Sequence, residues 1–247
     1  MTPHLHTLTR PLAGLVLAGA MLLPTAATAQ DTEPAVPAGR VVDLEAARDR
    51  CSTGIDKRMD ALDEASGRIA EAAHLTDEHE ETLVALVSDT VTGLTELDAA
   101  ITAATDAGAL RSACQAVVYE HRVFVLRLPQ IHATIGGDTG SHVVATFAEI
   151  APELGDAIAE AQAAGLDVRN SPELLAEAET AAQAAAEHLA GTTEALLALT
   201  PDDVNSGAAE PIAEGVRDDL KSARAQLELA RDNGRAVVEI LRALHTP

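Results

Sequence analysis

The spacing of apolar residues is the feature that most constrains this fold. From residue 44 to residue 244, apolar side chains recur at alternating three- and four-residue steps, which places them on one face of an α-helix. No segment alternates apolar and polar residues with a period of two, so the sequence predicts an all-α protein without a sheet. Helices that depend on one apolar face are not stable alone in water, so we expect them to form a bundle.

About six helices are expected, in an elongated antiparallel arrangement. Their apolar positions run over Leu44–Ile69, Leu83–Ala104, Leu110–Leu128, Val144–Ala161, Leu175–Leu199 and Val216–Leu244. The connections are short except around residues 200–210, which favours antiparallel neighbours. A weak internal similarity suggests two three-helix units, residues 41–138 and 139–247. The sequence leaves open whether these units form one bundle or two lobes.

Several residues predict where the helices begin and end. Thr76 is expected to cap the second helix, and Ser171 followed by Pro172 is a strong start for the fifth. Pro129 is expected to interrupt or kink the third helix. Residues 136–138, with the sequence Gly-Gly-Asp, are expected to form the turn before the fourth helix.

The N-terminus has the pattern of a secretory signal peptide over residues 1–29. A weakly basic start precedes an apolar run over Leu12–Leu23, and a small-residue cleavage site ends at Ala29. Residues 30–40 are typical of a disordered leader. The apolar run is short for a membrane span, and a retained anchor is the alternative. We therefore expect cleavage after Ala29, export to the cell envelope or medium, and no transmembrane segment in the mature chain.

The charge balance disfavours several classes of partner. The chain has 17 Lys and Arg against 39 Asp and Glu, a net charge of −22. Such a charge repels nucleic-acid backbones and anionic membranes. Trp is absent and aromatic residues make up 1% of the chain, so stacking platforms for bases are scarce. We expect no nucleic-acid partner.

The two cysteines, Cys51 and Cys114, both lie on apolar faces. In an up-down-up arrangement the first and third helices run parallel, and both cysteines lie two to three turns from the start of their helices. Export would place them where disulfides persist. We therefore predict a disulfide between Cys51 and Cys114, with a pair of buried thiols as the alternative.

The segment of residues 119–129, YEHRVFVLRLP, holds the only Tyr and one of the two Phe residues. His121 within it is open to two interpretations, a ligand or general base, or a half-buried histidine bonded to a neighbouring helix. Arg122 and Arg127 are expected at the margins, where their stems cover apolar surface. Apolar side chains point around most of the helix, so we interpret the segment as a bulky core anchor.

Charged rows follow the last two predicted helices. Six basic residues accompany the apolar face of the sixth: Arg217, Lys221, Arg224, Arg231, Arg235 and Arg242. Four acidic residues follow the fifth: Glu173, Glu177, Glu187 and Glu194. We expect an antiparallel hairpin in which the two rows lie side by side and select the pairing. The alternative is a basic groove that binds an acidic partner.

Metal and catalytic patterns are incomplete. Glu71 and His74 form one Glu-x-x-His element, whereas a di-iron bundle needs two such elements and two further Glu residues. His74 and His79 flank an acidic turn, and His132 and His142 bracket the expected Gly-Gly turn, so either pair could approach a loosely bound ion. No phosphate loop, nucleophile elbow or metalloprotease motif is present, and we expect no cofactor.

Three short stretches carry a resemblance to a family. They are CSTGIDKRMDALD, TGLTELDAAITAATD and HRVFVLRLPQ, within residues 45–138. They resemble segments of uncharacterised exported helical proteins of actinobacteria, in which an Arg-Val-aromatic-x-Leu-x-x-Pro signature closes a helical unit. Here the signature runs from Arg122 to Pro129. The resemblance implies export and helical architecture, and it brings no activity with it.

The leading functional interpretation is an exported, non-enzymatic bundle that contacts an unknown protein or envelope component. The alternative is a bundle that binds a metal or a small ligand through His and carboxylates. A third class is a hydrolase with helix-borne carboxylates, which would need a pocket joining Glu120 or His121 to a second acid.

Overall fold

The computed structural model describes residues 43–244, and within them every regular element is helical. Six helices of 13 residues or more carry the fold: α1 (Leu44–Glu71), α2 (Asp77–Ala103), α3 (Ala107–Tyr119), α4 (Leu128–Ala163), α5 (Ser171–Leu189) and α8 (Ala209–Leu244). Two six-residue helices, α6 (Thr192–Leu197) and α7 (Pro201–Ser206), connect α5 to α8. The prediction of an all-α bundle is confirmed. The predicted signal peptide and leader lie outside the described residues.

The first three helices pack around a common apolar core. Asp43 caps α1 and Asp106 caps α3 by accepting hydrogen bonds from backbone N–H groups of the first turn, and Thr76 caps α2 as predicted. Four fully buried side chains form the centre of this core: Leu62, Leu83, Leu94 and Ile101. Arg48 of α1 donates to the carbonyls of residues 101 and 104 at the end of α2, so it satisfies acceptors that a helix end leaves open.

The predicted disulfide is present in this unit. Cys51 of α1 and Cys114 of α3 are bonded, with their Cα atoms 5.6 Å apart and a separation of 63 positions in sequence. Both side chains are half-buried against the apolar core. The bridge therefore joins the two helices that the up-down-up arrangement brings together.

The third helix ends earlier than predicted. It stops at Tyr119 rather than near Pro129 because Arg122 adopts the left-handed conformation, with φ of 46°. A π-helical turn over residues 123–127 follows and leads directly into α4. Pro129 lies in the first turn of α4, where a missing N–H costs nothing. The side chain of Arg122 lies over the Tyr119 ring.

The predicted Gly-Gly-Asp turn is wrong, since residues 136–138 lie inside the 36-residue helix α4. Gly137 serves close packing instead of a turn, whereas a Cβ atom added at Gly136 would meet nothing within 4 Å. A Cβ atom added at Gly137 would lie 2.6 Å from Thr193 Oγ1 of α6, so only glycine lets the two helices approach this closely. Helix α4 thus passes through residues 138 and 139, and the division into two units at that point stays a prediction.

Helices α5 and α8 form the predicted antiparallel hairpin. Glu177 near the start of α5 accepts from Asn233 near the end of α8, and His188 at the end of α5 contacts Asp219 near the start of α8. Buried alanines fill the seam: Ala178, Ala181, Ala182 and Ala185 on α5, with Ala223 and Ala230 on α8. Small side chains allow the helices to pack closely.

The two ends of the fifth helix differ from the prediction. Ser171 is the first residue of α5 rather than its cap, and its hydroxyl donates to the carbonyl of Val168. The helix stops at Leu189 because Gly191 adopts a left-handed conformation, with φ of 73°. The predicted continuation to Leu199 is therefore divided between α5 and α6.

Candidate functional site

The segment of residues 119–129 supplies side chains to the core, as interpreted. Val123 and Leu126 are buried, whereas Val125 is 44% exposed, so the segment is not surrounded on all sides. Phe124 lies beneath the guanidinium of Arg58, a buried residue of α1, at 5.2 Å from its ring centroid. The π-helical turn therefore anchors α4 against α1.

His121 packs against α2 by contact rather than by a hydrogen bond. A Cβ atom at Gly93 would lie 2.3 Å from its Cε1 atom, so the imidazole occupies the space that the glycine leaves. Burial lowers the pKa of His121, Glu120 acts in the opposite direction, and Arg127 and Arg58 add to the lowering. These surroundings favour a neutral imidazole that belongs to the helix packing.

The proposed metal elements do not assemble. Glu71 is the last residue of α1 and His74 lies beyond the helix end, so they do not share a helical face. His132 and His142 are ten residues apart on α4, about 15 Å along its axis, which corrects the expectation that a turn brings them together. Within residues 43–244, no group of three His, Cys, Asp or Glu side chains could hold a metal ion.

His142 instead stacks on His74. Their ring centroids are 3.8 Å apart with an interplanar angle of 11°, and both residues are exposed. His132 faces α1, where burial lowers its pKa, Arg68 adds to the lowering and Glu64 opposes it. Each histidine of the expected pair therefore has a separate environment.

A polar pair that the sequence did not reveal lies beside this stack. Nδ1 of His79 is 2.8 Å from Oδ1 of Asp138, whose other oxygen accepts from the backbone N–H of Thr76 at 2.9 Å. The pair lines a cleft of about 250 Å³ that also includes Ser141 and Glu194. Asp138 was assigned to a turn, so its burial on α4 opposite the cap of α2 could not be foreseen.

The six basic residues of α8 lie on its outer surface and not against α5. Arg217, Lys221, Arg224, Arg235 and Arg242 are exposed, and Arg231 is half-buried. The polar residues of α8 that contact α5 are Asp219 and Asn233, on the other side of the apolar face. The polar contacts seen across the hairpin therefore do not join the basic row to the acidic row, and the prediction that these rows lie side by side is wrong there.

This surface, which we call the basic stripe, contains 6 of the 17 Lys and Arg residues in a chain of net charge −22. Arg224 forms a salt bridge with Glu228, and Arg231 one with Asp232, both within α8. Arg217, Lys221 and Arg235 make no hydrogen bond or salt bridge with any residue in the described range 43–244. Exposed acids lie among these cations on α8, namely Glu214, Asp218, Glu228, Asp232 and Glu239, so the stripe is a row of mixed charge open to solvent.

The chain matches no protein-family model, and no curated protein or solved structure is significantly similar to it. Among residues 43–244, no helix combines the length and apolar content needed to cross a bilayer.

Proposed function

We propose that this chain is an exported helical-bundle protein that acts in the cell envelope or the medium by binding another macromolecule. The signal-peptide pattern of residues 1–29 and the Cys51–Cys114 disulfide support the compartment, because disulfides persist in oxidising environments. The resemblance to exported actinobacterial proteins points the same way.

The basic stripe carries the binding part of the proposal. Arg217, Lys221 and Arg235 of this stripe make no ion pair with another residue of the described range 43–244, and exposed ion pairs contribute little to the stability of a fold in any case. A binding partner gives such a surface a use, because complementary charges raise association rates and select among partners. The stripe lies on the exposed side of α8, where a second molecule can approach.

Export is tested by N-terminal sequencing of the protein recovered from the envelope and medium of its own cells. We expect the mature chain to begin at Gln30, allowing for a few residues of trimming. Recovery of only full-length protein, in the membrane fraction, would contradict the proposed cleavage after Ala29.

Binding is tested by photo-cross-linking in those cells. A photoreactive amino acid replaces Ala225, which is exposed beside the stripe, or Val84, which is 52% exposed on α2. We expect a discrete adduct from position 225 that excess unlabelled mature protein suppresses, and none from position 84. The absence of a suppressible adduct at position 225 would refute binding through α8.

Binding of a small ligand is the second candidate, and the cleft beside His79 and Asp138 favours it. A histidine oriented by a carboxylate beside a cleft can bind or exchange protons with a small polar molecule. Mass spectrometry of the native protein, purified without an affinity tag, would show a bound ligand. A ligand that is retained by the native protein but lost in the His79→Gln variant would favour this candidate over the leading one.

A further inference from the structure

We propose that the cleft beside His79 and Asp138 binds a protonated primary amine on a short aliphatic chain. This inference rests on the second candidate function, since it names the chemical class of the small ligand, and it is independent of the basic stripe. It follows from the polar groups that have no partner in the cleft, from their charge, and from the apolar walls beside them.

The cleft lies where four helices meet. His79 comes from the first turn of α2, and Asp138 and Ser141 lie one turn apart on α4. The end of α5 and Thr193 of α6 form the other side. Asp138 is 8% exposed and Thr193 is 7% exposed, so two of the polar groups are largely shielded from bulk water. The volume of about 250 Å³ has room for about eight water-sized groups.

Three polar side chains that line the cleft are available to a ligand. Ser141, Thr193 and Glu194 form no hydrogen bond or salt bridge with any residue between positions 43 and 244. Thr193 matters most, because a hydroxyl on a side chain this buried normally has a hydrogen-bonding partner. A polar molecule in the cleft would provide that partner.

The fourth polar group of the cleft is the imidazole of His79, which Asp138 orients. The carboxylate accepts from the backbone N–H of Thr76 and lies 2.8 Å from Nδ1 of His79. Because an ionised carboxylate only accepts hydrogen bonds, Nδ1 carries a proton, and Nε2 of the neutral ring is then an acceptor. Nε2 has no hydrogen-bonding partner in the described part of the chain.

The charge of the cleft favours a cation over an anion. Asp138 and Glu194 both line it, whereas no Lys or Arg is among its described lining residues. Leu189 and Ala190 bring the C-terminal end of α5 to the cleft, and the last carbonyls of a helix carry a partial negative charge. The acceptors therefore need a donor, and a protonated primary amine offers three N–H groups.

The walls of the cleft determine which cation fits. Among its described lining residues none is Phe, Tyr or Trp. A quaternary ammonium has no N–H to donate and is typically held by aromatic faces, so it is disfavoured here. Val144, Ala186 and Leu189 form the apolar part of the lining, against which a short alkyl chain can pack.

The ligand class is tested with the mature, oxidised chain and four probes that share a five-carbon alkyl chain. Pentylamine carries the proposed ammonium group, pentanol is neutral, hexanoate is anionic, and pentyltrimethylammonium is a cation without N–H donors. Amide chemical shifts of the isotope-labelled protein follow each titration at about pH 8, where an alkylamine is protonated. We expect pentylamine to shift the amides of residues 189–194, and the other three probes to bind at least about tenfold more weakly.

Matched variants show whether the cleft is responsible. Thr193→Ala removes the buried hydroxyl and Thr193→Ser keeps it. Glu194→Gln neutralises an exposed carboxylate of the cleft, and Glu179→Gln neutralises an exposed carboxylate of α5 that does not line the cleft. We expect pentylamine to bind about tenfold more weakly to T193A and about three- to fivefold more weakly to E194Q. The changes in T193S and E179Q should be less than twofold, and thermal melts establish that all four variants fold.

Two sources can supply such an amine, a free small molecule or the side chain of a lysine in another protein. Lysine capped at both ends of its backbone presents the same ammonium group within a peptide. Tighter binding of capped lysine than of pentylamine identifies a lysine side chain as the source, and the reverse identifies a free amine. Both outcomes support the amine class.

Each contrary result has a distinct meaning. If pentanol, hexanoate or pentyltrimethylammonium binds as tightly as pentylamine, the amine class is overturned. Equal losses in E194Q and E179Q would show only a general attraction of cations to an acidic chain, and they overturn the proposal as well. If the native protein retains a ligand that His79→Gln loses, but pentylamine and capped lysine do not bind, the amine class fails while the cleft stands as a ligand site. If the native protein retains no ligand and no probe binds, both fail.

Discussion

Removal of the Cys51–Cys114 bridge is expected to lower the stability of the protein substantially. The bridge closes a loop of 63 residues, and in the chain-entropy model a loop of that length stabilises the fold by about 4 kcal/mol, by restricting the unfolded chain. For a domain of this size each kcal/mol corresponds to about 2–4 °C in melting temperature. The double variant C51A/C114A should therefore melt about 8–16 °C below the oxidised wild type.

The mechanism makes a second measurement informative. Because the bridge acts on the unfolded state, its loss should also increase the surface exposed on unfolding and raise the urea m-value. Thiol titration of the denatured, unreduced wild type should find no free thiol. If the melting temperature falls by less than 3 °C and the m-value is unchanged, closure of the loop does not account for the stabilisation.

Three further changes test the packing described above. Gly93→Ala should lower the free energy of unfolding in urea by about 1–3 kcal/mol, because the new Cβ would press on His121. The control Gly67→Ala, where an added Cβ meets nothing within 4 Å, should raise it by about 0.5–1 kcal/mol. Equal effects of the two changes would contradict the contact between Gly93 and His121. Gln130→Leu should cost about 3 kcal/mol, since the buried amide donates to the carbonyls of Leu196, in the last turn of α6, and Leu199, just beyond it; a loss below 1 kcal/mol would show that water replaces the amide. Burial lowers the pKa values of His121 and His132. Their contribution to the stability of the fold is therefore fully present above the unfolded-state pKa of about 6.5, and it is lost as the pH falls below that value. The double variant H121Q/H132Q should flatten the decline in melting temperature between about pH 7.5 and 5.5, and an unchanged slope would contradict this assignment.

The sequence predicted those features that depend on local chemistry. The apolar spacing specified the helices, Thr76 satisfied the first turn of α2, and the two cysteines lay at similar heights on helices that pack together. Each of these follows from residues close in sequence or from one simple arrangement of neighbouring helices. The disulfide was therefore within reach of reasoning from the chain alone.

The features that failed depend on contacts between distant residues. Two adjacent glycines are equally compatible with a turn and with a close helix crossing, and only the position of Thr193 decides between them for Gly137. The left-handed conformation of Arg122 has no local signal, since left-handed residues are most often glycine or asparagine. The wrong charge pairing has a similar cause, because both sides of the α8 apolar face carry polar residues, and the sequence does not show which side faces α5. His79 and Asp138 are 59 residues apart, and their pairing required the path of α4.

The covalent loop also determines how the chain would respond to tension applied at its two ends. A pulling force is transmitted directly from Cys51 to Cys114 through the bridge, so the 63-residue separation between them is removed from the extensible length. At about 3.3–3.6 Å for each extended residue, about 210–230 Å of contour stays slack while the bridge is oxidised. Helix α2, which lies wholly inside the loop, can be lost to heat or denaturant, yet it carries no load when the molecule is stretched.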